Sequence, residues 1–295
     1  EPRSSAPPQD RNCHLTNKEG SPCVSAVVAA KAPTAQDAKV CPEPGDQALE
    51  RPRREAGQRP GSSGKVRSLR QVEELISDED SWPSIQAAID AGGVHCDVLP
   101  LDDPNLSCLF SLQVTTRSAL GALAAHCGGL KIDHGWIRLY GAGHDGLPSL
   151  AAINGLPARE GPSPSMLLVG EDVLGGRFAI NGGALGGELG EVNFWAPDTL
   201  EWTSLGGGHG DFVSWVLAGG SAELYECLRW PGWESDVDAV ALHQGLMLYP
   251  PPCTSEGQDT SKAARRPVPR HELDLWLDSL AALPDGERVR VRIHP

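Results

Sequence analysis

The sequence has no run approaching the roughly 18–20 apolar residues that cross a bilayer, so it predicts no membrane contact. It has no Gly-X-Y period, which excludes collagen. None of its eight cysteines forms C-x-x-C, so a zinc knuckle or a thioredoxin-type site has no support. Neither H-x-x-x-H nor H-E-x-x-H occurs, and there is no G-x-S-x-G elbow. Basic residues are scarce: 25 Lys+Arg stand against 39 Asp+Glu, a formal charge of −14. Nucleic-acid binders present a basic surface, so that class is excluded as well. These absences point to no metal, no cofactor and no coherent catalytic set. They lean against an enzyme without settling the question.

What is present is unevenly spread. Residues 1–65 carry 10 basic and 8 acidic residues, whereas residues 66–295 carry 15 and 31, a balance of −16. The first stretch has nine prolines, no Phe, Trp, Tyr, Met or Ile, and only Leu15 and Leu49 among the leucines. It cannot bury enough apolar surface to offset ordering costs of roughly 1–2 kcal/mol per residue. The expectation is a disordered tail over 1–65, one α+β domain over 66–283, and a C-terminal extension over 284–295. Cys23 to Ala30 is too short and poorly flanked for a signal-peptide core. The cysteines past the tail lie in apolar contexts and read as buried reduced thiols, which suggests a cytoplasmic setting.

Local signals then place the elements. Ser68 and Gln71 predict a capping box before a short helix at Val72, and Trp82-Pro83 opens a second helix ended by Gly92-Gly93. A strand is expected over 94–99, then helices capped by Asp103 and by Ser118. From Leu130 the period changes: strand, tight turn at His134-Gly135, strand. Further strands follow at 166–169, 177–180 and 191–195, with Leu200 to Thr203 pairing back. Helices return, with Asp211 expected as N-cap and a clear amphipathic helix from Arg270. Helices, then strands, then helices imply a mainly antiparallel mixed sheet flanked by terminal helices rather than a doubly wound fold.

Several groups bear on chemistry. The loop Asn181 to Gly190 is glycine-rich but matches no phosphate-binding pattern, and Glu188 and Glu191 would repel phosphate. It reads as a wide hairpin loop. Asp133-His134 and His144-Asp145 set carboxylates beside imidazoles. Together with Arg117 they make the case for a small hydrolase-like enzyme, against which adjacent strand residues point to opposite faces. Thr116-Arg117, before the Ser118 cap, offers a hydroxyl and a guanidinium to an anion near a helix N-terminus, a candidate small-ligand sensor. Trp230-Pro-Gly-Trp233 places two indoles across a turn. Exposed, they form a recognition patch; buried, they lock the sheet to the last helices. Arg265 to Pro269 (RRPVP) is a basic extended segment in an acidic domain.

The stretches Trp82-Pro83, Leu112 to Gly121 (LQVTTRSALG), Asp133 to Leu139 (DHGWIRL), Phe178 to Gly187 (FAINGGALGG), Phe194 to Trp202 (FWAPDTLEW), Asp211-Phe212, Leu228 to Trp233 (LRWPGW) and Arg265 to Pro269 carry a resemblance. On them residues 66–283 resemble the bacterial family called domain of unknown function 2625. At His209-Gly210 the sequence departs from the Tyr-Ser of that pattern. The family brings no established activity. Its strand-loop-strand-turn-helix core is also remotely similar to Smi1/Knr4-type domains. That likeness implies an intracellular protein-binding module, of a kind that often acts as immunity protein against toxins. The expectation is therefore an acidic protein that binds a protein partner, in its sharpest form a basic toxin. Thr116, Arg117, Asp133, His134, Trp136, His144, Trp230 and Trp233 are its candidate binding residues.

Overall fold

The computed structural model describes residues 69–157 and 163–284. Two short helices come first, α1 (Val72–Leu75) and α2 (Trp82–Asp90). The first is capped from Gln71, whose N–H donates to the Glu74 carboxylate at 2.8 Å, while Ser68 lies outside the described residues. Strand β1 (Cys96–Leu99) is followed by α3 (Ser107–Leu112) and α4 (Ala119–His126). Asp103 holds the start of α3 by accepting from the Cys108 N–H at 2.9 Å. Ser118 caps α4 as its sequence implies, accepting from the Gly121 N–H at 3.1 Å.

Then come β2 (Gly129–Ile132) and β3 (Ile137–Tyr140), with a turn in which Asp133, His134 and Gly135 all have positive φ. After α5 (Leu150–Ile153) the chain runs through β4 (Met166–Asp172), β5 (Arg177–Asn181), β6 (Val192–Trp195) and β7 (Trp202–Ser204). Strands β1 to β7 form one sheet in chain order, and every pairing is antiparallel. The fold is α+β, as expected, and the sheet is a plain meander in which each strand pairs with its sequence neighbour.

The last part holds α6 (His209–Leu217), α7 (Ser221–Leu224), α8 (Trp233–Asp238), the hairpin β8 (Gln244–Tyr249) and β9 (Ala264–Pro269), and α9 (Arg270–Ala281). One boundary is corrected. Asp211 is not the N-cap of α6; that is Gly208, and Asp211 sits at the third helical position, accepting from the Gly208 N–H at 3.0 Å. The basic Arg265 to Pro269 segment is strand β9, paired with β8. The expected tail over 1–65 and all but the first residue of the 284–295 extension lie outside the described residues.

Helices α2, α4 and α6 pack on one another above the sheet. Helix α4 is the centre of that layer because Leu120 to Ala125 are buried on every side. Its small residues make this possible: a Cβ on Gly121 would lie 2.1 Å from the Thr115 carbonyl oxygen. The main core joins these helices to Ile132, Ile137, Leu139, Val169 and Phe178. Burying such side chains contributes about 1.5–3 kcal/mol each. A second cluster seats Leu273, Leu277 and Leu280 of α9 against Trp195, Leu200 and Val268. Cys96, Cys108, Cys127 and Cys253 are outside any disulfide, whereas Cys227 is disulfide-bonded, so the expectation of five reduced thiols holds for four. Burial pushes the Cys96 and Cys127 thiols up to about 12, which makes them unreactive.

Candidate functional site

The β2–β3 turn projects Asp133 and His134 toward α8 and the segment before it. Asp133 forms an ion pair with Arg229. The Arg229 guanidinium in turn lies over Trp233 at 4.1 Å and over Trp136 at 5.0 Å. Trp136 is fully buried and meets the Tyr225, Trp230 and Trp233 rings at 5.4, 5.8 and 5.1 Å. Trp230 is buried too: its indole N–H donates to the Asp236 carboxylate at 2.7 Å, and Arg265 covers its face at 4.3 Å. A guanidinium over an indole contributes about 0.5–2 kcal/mol. The two indoles across the 230–233 turn therefore lock α8 and β9 to the sheet, with Arg229 held as an internal cation.

The outer edge of this cluster is open. Trp233 is half-buried and meets His134 edge-on at 5.9 Å, and His134 stacks on His95 at 5.1 Å. Carboxylates border the edge. Asp97 and Asp238 share one cation, Lys131, at 3.8 and 2.6 Å, and Glu234 is exposed on α8. Lys131 holds the Asp238 carboxyl below its usual range through that hydrogen bond and charge. The result is an aromatic edge with an acidic rim.

The remaining candidates lie elsewhere. Thr116 is buried; its hydroxyl accepts from the Ser77 N–H at 3.0 Å and its carbonyl from the Ser81 N–H at 2.9 Å. It ties α1 and α2 to α4 through these contacts. Arg117 is exposed and pairs with Glu79 at 2.9 Å. His144 pairs with Asp102 at 2.6 Å in the loop after β3. The structure thus gathers Asp133, His134, Trp136, Trp230 and Trp233. His144 and Arg117 are held elsewhere, by Asp102 and Glu79, so the four residues of the hydrolase reading are not brought together as one set. Among the described residues no group of three or more His, Cys, Asp or Glu could hold a metal ion.

The glycine-rich loop joins β5 and β6 as a hairpin loop, and it is filled by the chain itself. The Asn181 side chain accepts from the Gly183 and Leu185 N–H groups at 2.8 and 3.1 Å and donates to the carbonyls of Gly186, Gly187 and Glu188.

Two features escaped sequence reasoning. One is a buried ionic network: Arg270 reaches Glu171 at 3.0 Å and Asp274 at 2.9 Å, Arg138 lies 3.6 Å from Glu171, and Tyr140 donates to Glu171 at 2.5 Å. Asp172 accepts from Tyr225 at 3.0 Å and from two backbone N–H groups, yet full burial pushes its carboxyl up to about 6. No local pattern signals it, because Arg138 and Glu171 sit within apolar strands and Arg270 is far along the chain. The other is a cleft of about 460 Å³ between the first turns of α2, α4 and α6, lined by Arg117 and His209 among others.

A family model described as "Protein of unknown function DUF2625" matches residues 72–273. The chain is 39% identical over 184 residues to a protein of Escherichia coli (strain K12) described as "Putative uncharacterized protein YbfG", covering 62% of this chain and 85% of that one. It is 34% identical over 187 residues to an "Uncharacterized protein" of Haemophilus influenzae (strain ATCC 51907 / DSM 11121 / KW20 / Rd), covering 62% and 82%. No solved structure matches. The long ordered motifs and the match over most of the described residues agree, and the chain belongs to the family of unknown function DUF2625.

Proposed function

We propose that this protein is a cofactor-free binding module whose partner is a basic protein, engaged through the acidic rim around Trp233, His134 and His95. The observation that carries the proposal is where the cations go. Arg138, Arg177, Arg229 and Arg270 have side chains at most 19% exposed, each engaged with carboxylates. Asp133 and Glu171 are largely buried beside them, so the surface keeps the acidic excess of the chain with few cations left on it. Such a field speeds encounter with a basic partner, and a half-buried indole provides an anchor of the kind found in interface hot spots. The sharper form, an inhibitor of a basic toxin in the cytoplasm, rests on the likeness to Smi1/Knr4-type domains.

Capture from a native lysate on the immobilised full chain tests it. The expected partner has a basic isoelectric point. It is released between about 0.05 and 0.5 M salt, where the Debye length shrinks from about 14 to 4 Å. It is also lost from the variant D97N/E234Q/D238N. A partner that survives both high salt and neutralisation of the rim defeats the proposal.

A further inference from the structure

Strand β1 is an open end of the sheet. It pairs with β2 alone, whereas β2 to β6 are each paired on both sides. The Asp133 N–H donates to the His95 carbonyl at 2.7 Å. In an antiparallel ladder, residues two apart turn their backbone groups the same way, so His95, Asp97 and Leu99 face β2. The N–H and C=O groups of Cys96 and Val98 therefore point outward, and among the described residues they meet no backbone partner. Such an edge is a template for one more strand. The opposite end of the sheet, β7, is only three residues long. The two faces of the β1 edge differ, because side chains alternate along a strand. Cys96 and Val98 share the face on which their cross-strand partners Ile132 and Leu130 are buried, and Val98 is 38% exposed at its margin. His95 and Asp97 lie on the other face, where Asp97 is opposite Lys131. That face belongs to the acidic rim: His95 stacks on His134, and Lys131 is shared with Asp238.

We propose that the basic partner docks as an extended segment of alternating basic and apolar residues, which adds to β1 as an eighth strand. Its backbone pairs with Cys96 and Val98. Its apolar side chains extend the core face beside Val98, and its basic side chains lie beside Asp97 in the rim. Charge complementarity selects this occupant, since an acidic strand would set its carboxylates against Asp97 and Asp238, which have one cation between them. The inference rests on the rim being the partner-binding face and specifies how the partner's chain lies there.

NMR titration of the full chain with the peptide acetyl-KVKVKV-amide tests the assignment. The expected result is saturable binding that shifts the Cys96 and Val98 amide protons, slows their exchange, and weakens between about 0.05 and 0.5 M salt. N-methylation of alternate peptide residues removes the backbone donors along one edge and leaves charge and side chains in place. In antiparallel addition the residues opposite Cys96 and Val98 carry the hydrogen bonds, so methylating the three valines should cost about tenfold or more in affinity and methylating the three lysines little. The reverse pattern places the added strand parallel to β1. V98P removes one outward N–H at a position where an edge strand accepts proline, and it too should weaken binding about tenfold. If V98P does not fold, the methylated pair decides alone. Equal affinity of the two methylated peptides, unchanged affinity in folded V98P, or no saturable binding of the unmethylated peptide overturns strand addition. Binding that ignores Val98 and methylation yet is lost in salt and in D97N/E234Q/D238N leaves the rim standing without the added strand. Binding that needs Val98 and one methylation pattern but ignores salt and the neutralised rim upholds the added strand and defeats the rim.

Discussion

Asp172 and His209 are both buried ionisable groups, and they push the stability of the protein in opposite directions. Burial raises Asp172 from 3.8 to about 6, so its ionised form is disfavoured in the fold. The unfolded chain gives up that proton more readily, so Asp172 destabilises the fold above pH 6, and this cost is relieved as pH falls from 6 toward 4. Burial lowers His209 from 6.5 to about 4. The unfolded chain takes up that proton first, so His209 costs stability as pH falls from 6.5 toward 4. Each shift corresponds to about 3 kcal/mol at full extent. Urea denaturation between pH 7 and 4 should show D172N losing stability more steeply than the unmodified protein, and H209L less steeply. Three parallel curves would contradict both assignments. His209 stood out in the sequence only where it departs from the Tyr-Ser of the family pattern. Its burial arises where α6 packs against α2 and α4, which no local signal encodes.

At the scale of elements, Arg270 decides how α9 and the β8–β9 hairpin join the sheet. Besides Glu171 and Asp274, it donates to the carbonyls of Asp172 and Gly176 at 3.0 and 3.3 Å. Gly175 completes the joint: its φ of +101 and a Cβ that would lie 2.2 Å from Leu277 leave room for no larger residue. Arg270→Met should destabilise by about 3–5 kcal/mol, because Glu171 is left buried with its charge poorly compensated. Adding Glu171→Gln should recover about 1–3 kcal/mol of that loss in a double-mutant cycle. Strict additivity of the two substitutions would mean the pair is not coupled. Element by element, much was legible: the Ser118 cap, Pro83 in the first turn of α2, the His134-Gly135 turn and the amphipathic stripe of α9. Each is written within a few residues. The start of α6 was misplaced, since an Asp at the third helical position reaching back to Gly208 carries the same local signature as an N-cap.

For the whole molecule, the excess of carboxylates, 31 against 15 basic residues over 66–295, repels itself across the surface. Screening should relieve this, so the melting temperature is expected to rise by a few degrees between about 0.02 and 0.3 M sodium chloride. A fall over that range would show that attractive surface pairs dominate instead. The sequence by itself determined the α+β class, the mainly antiparallel character of the sheet, the glycine loop as a hairpin and the acidic balance. Those follow from side-chain period, turn residues and charge, which act over a few positions or by simple summation. Only the tertiary structure decided that Trp136, Trp230 and Trp233 share one cluster around Arg229, that Thr116 is an internal tie, that His144 stands apart, and that the first turns of α4 and α6 line one cleft. Those are contacts between residues tens to a hundred positions apart, selected by packing the helix layer onto the sheet, and nothing in the neighbourhood of any one of them along the chain records the partner.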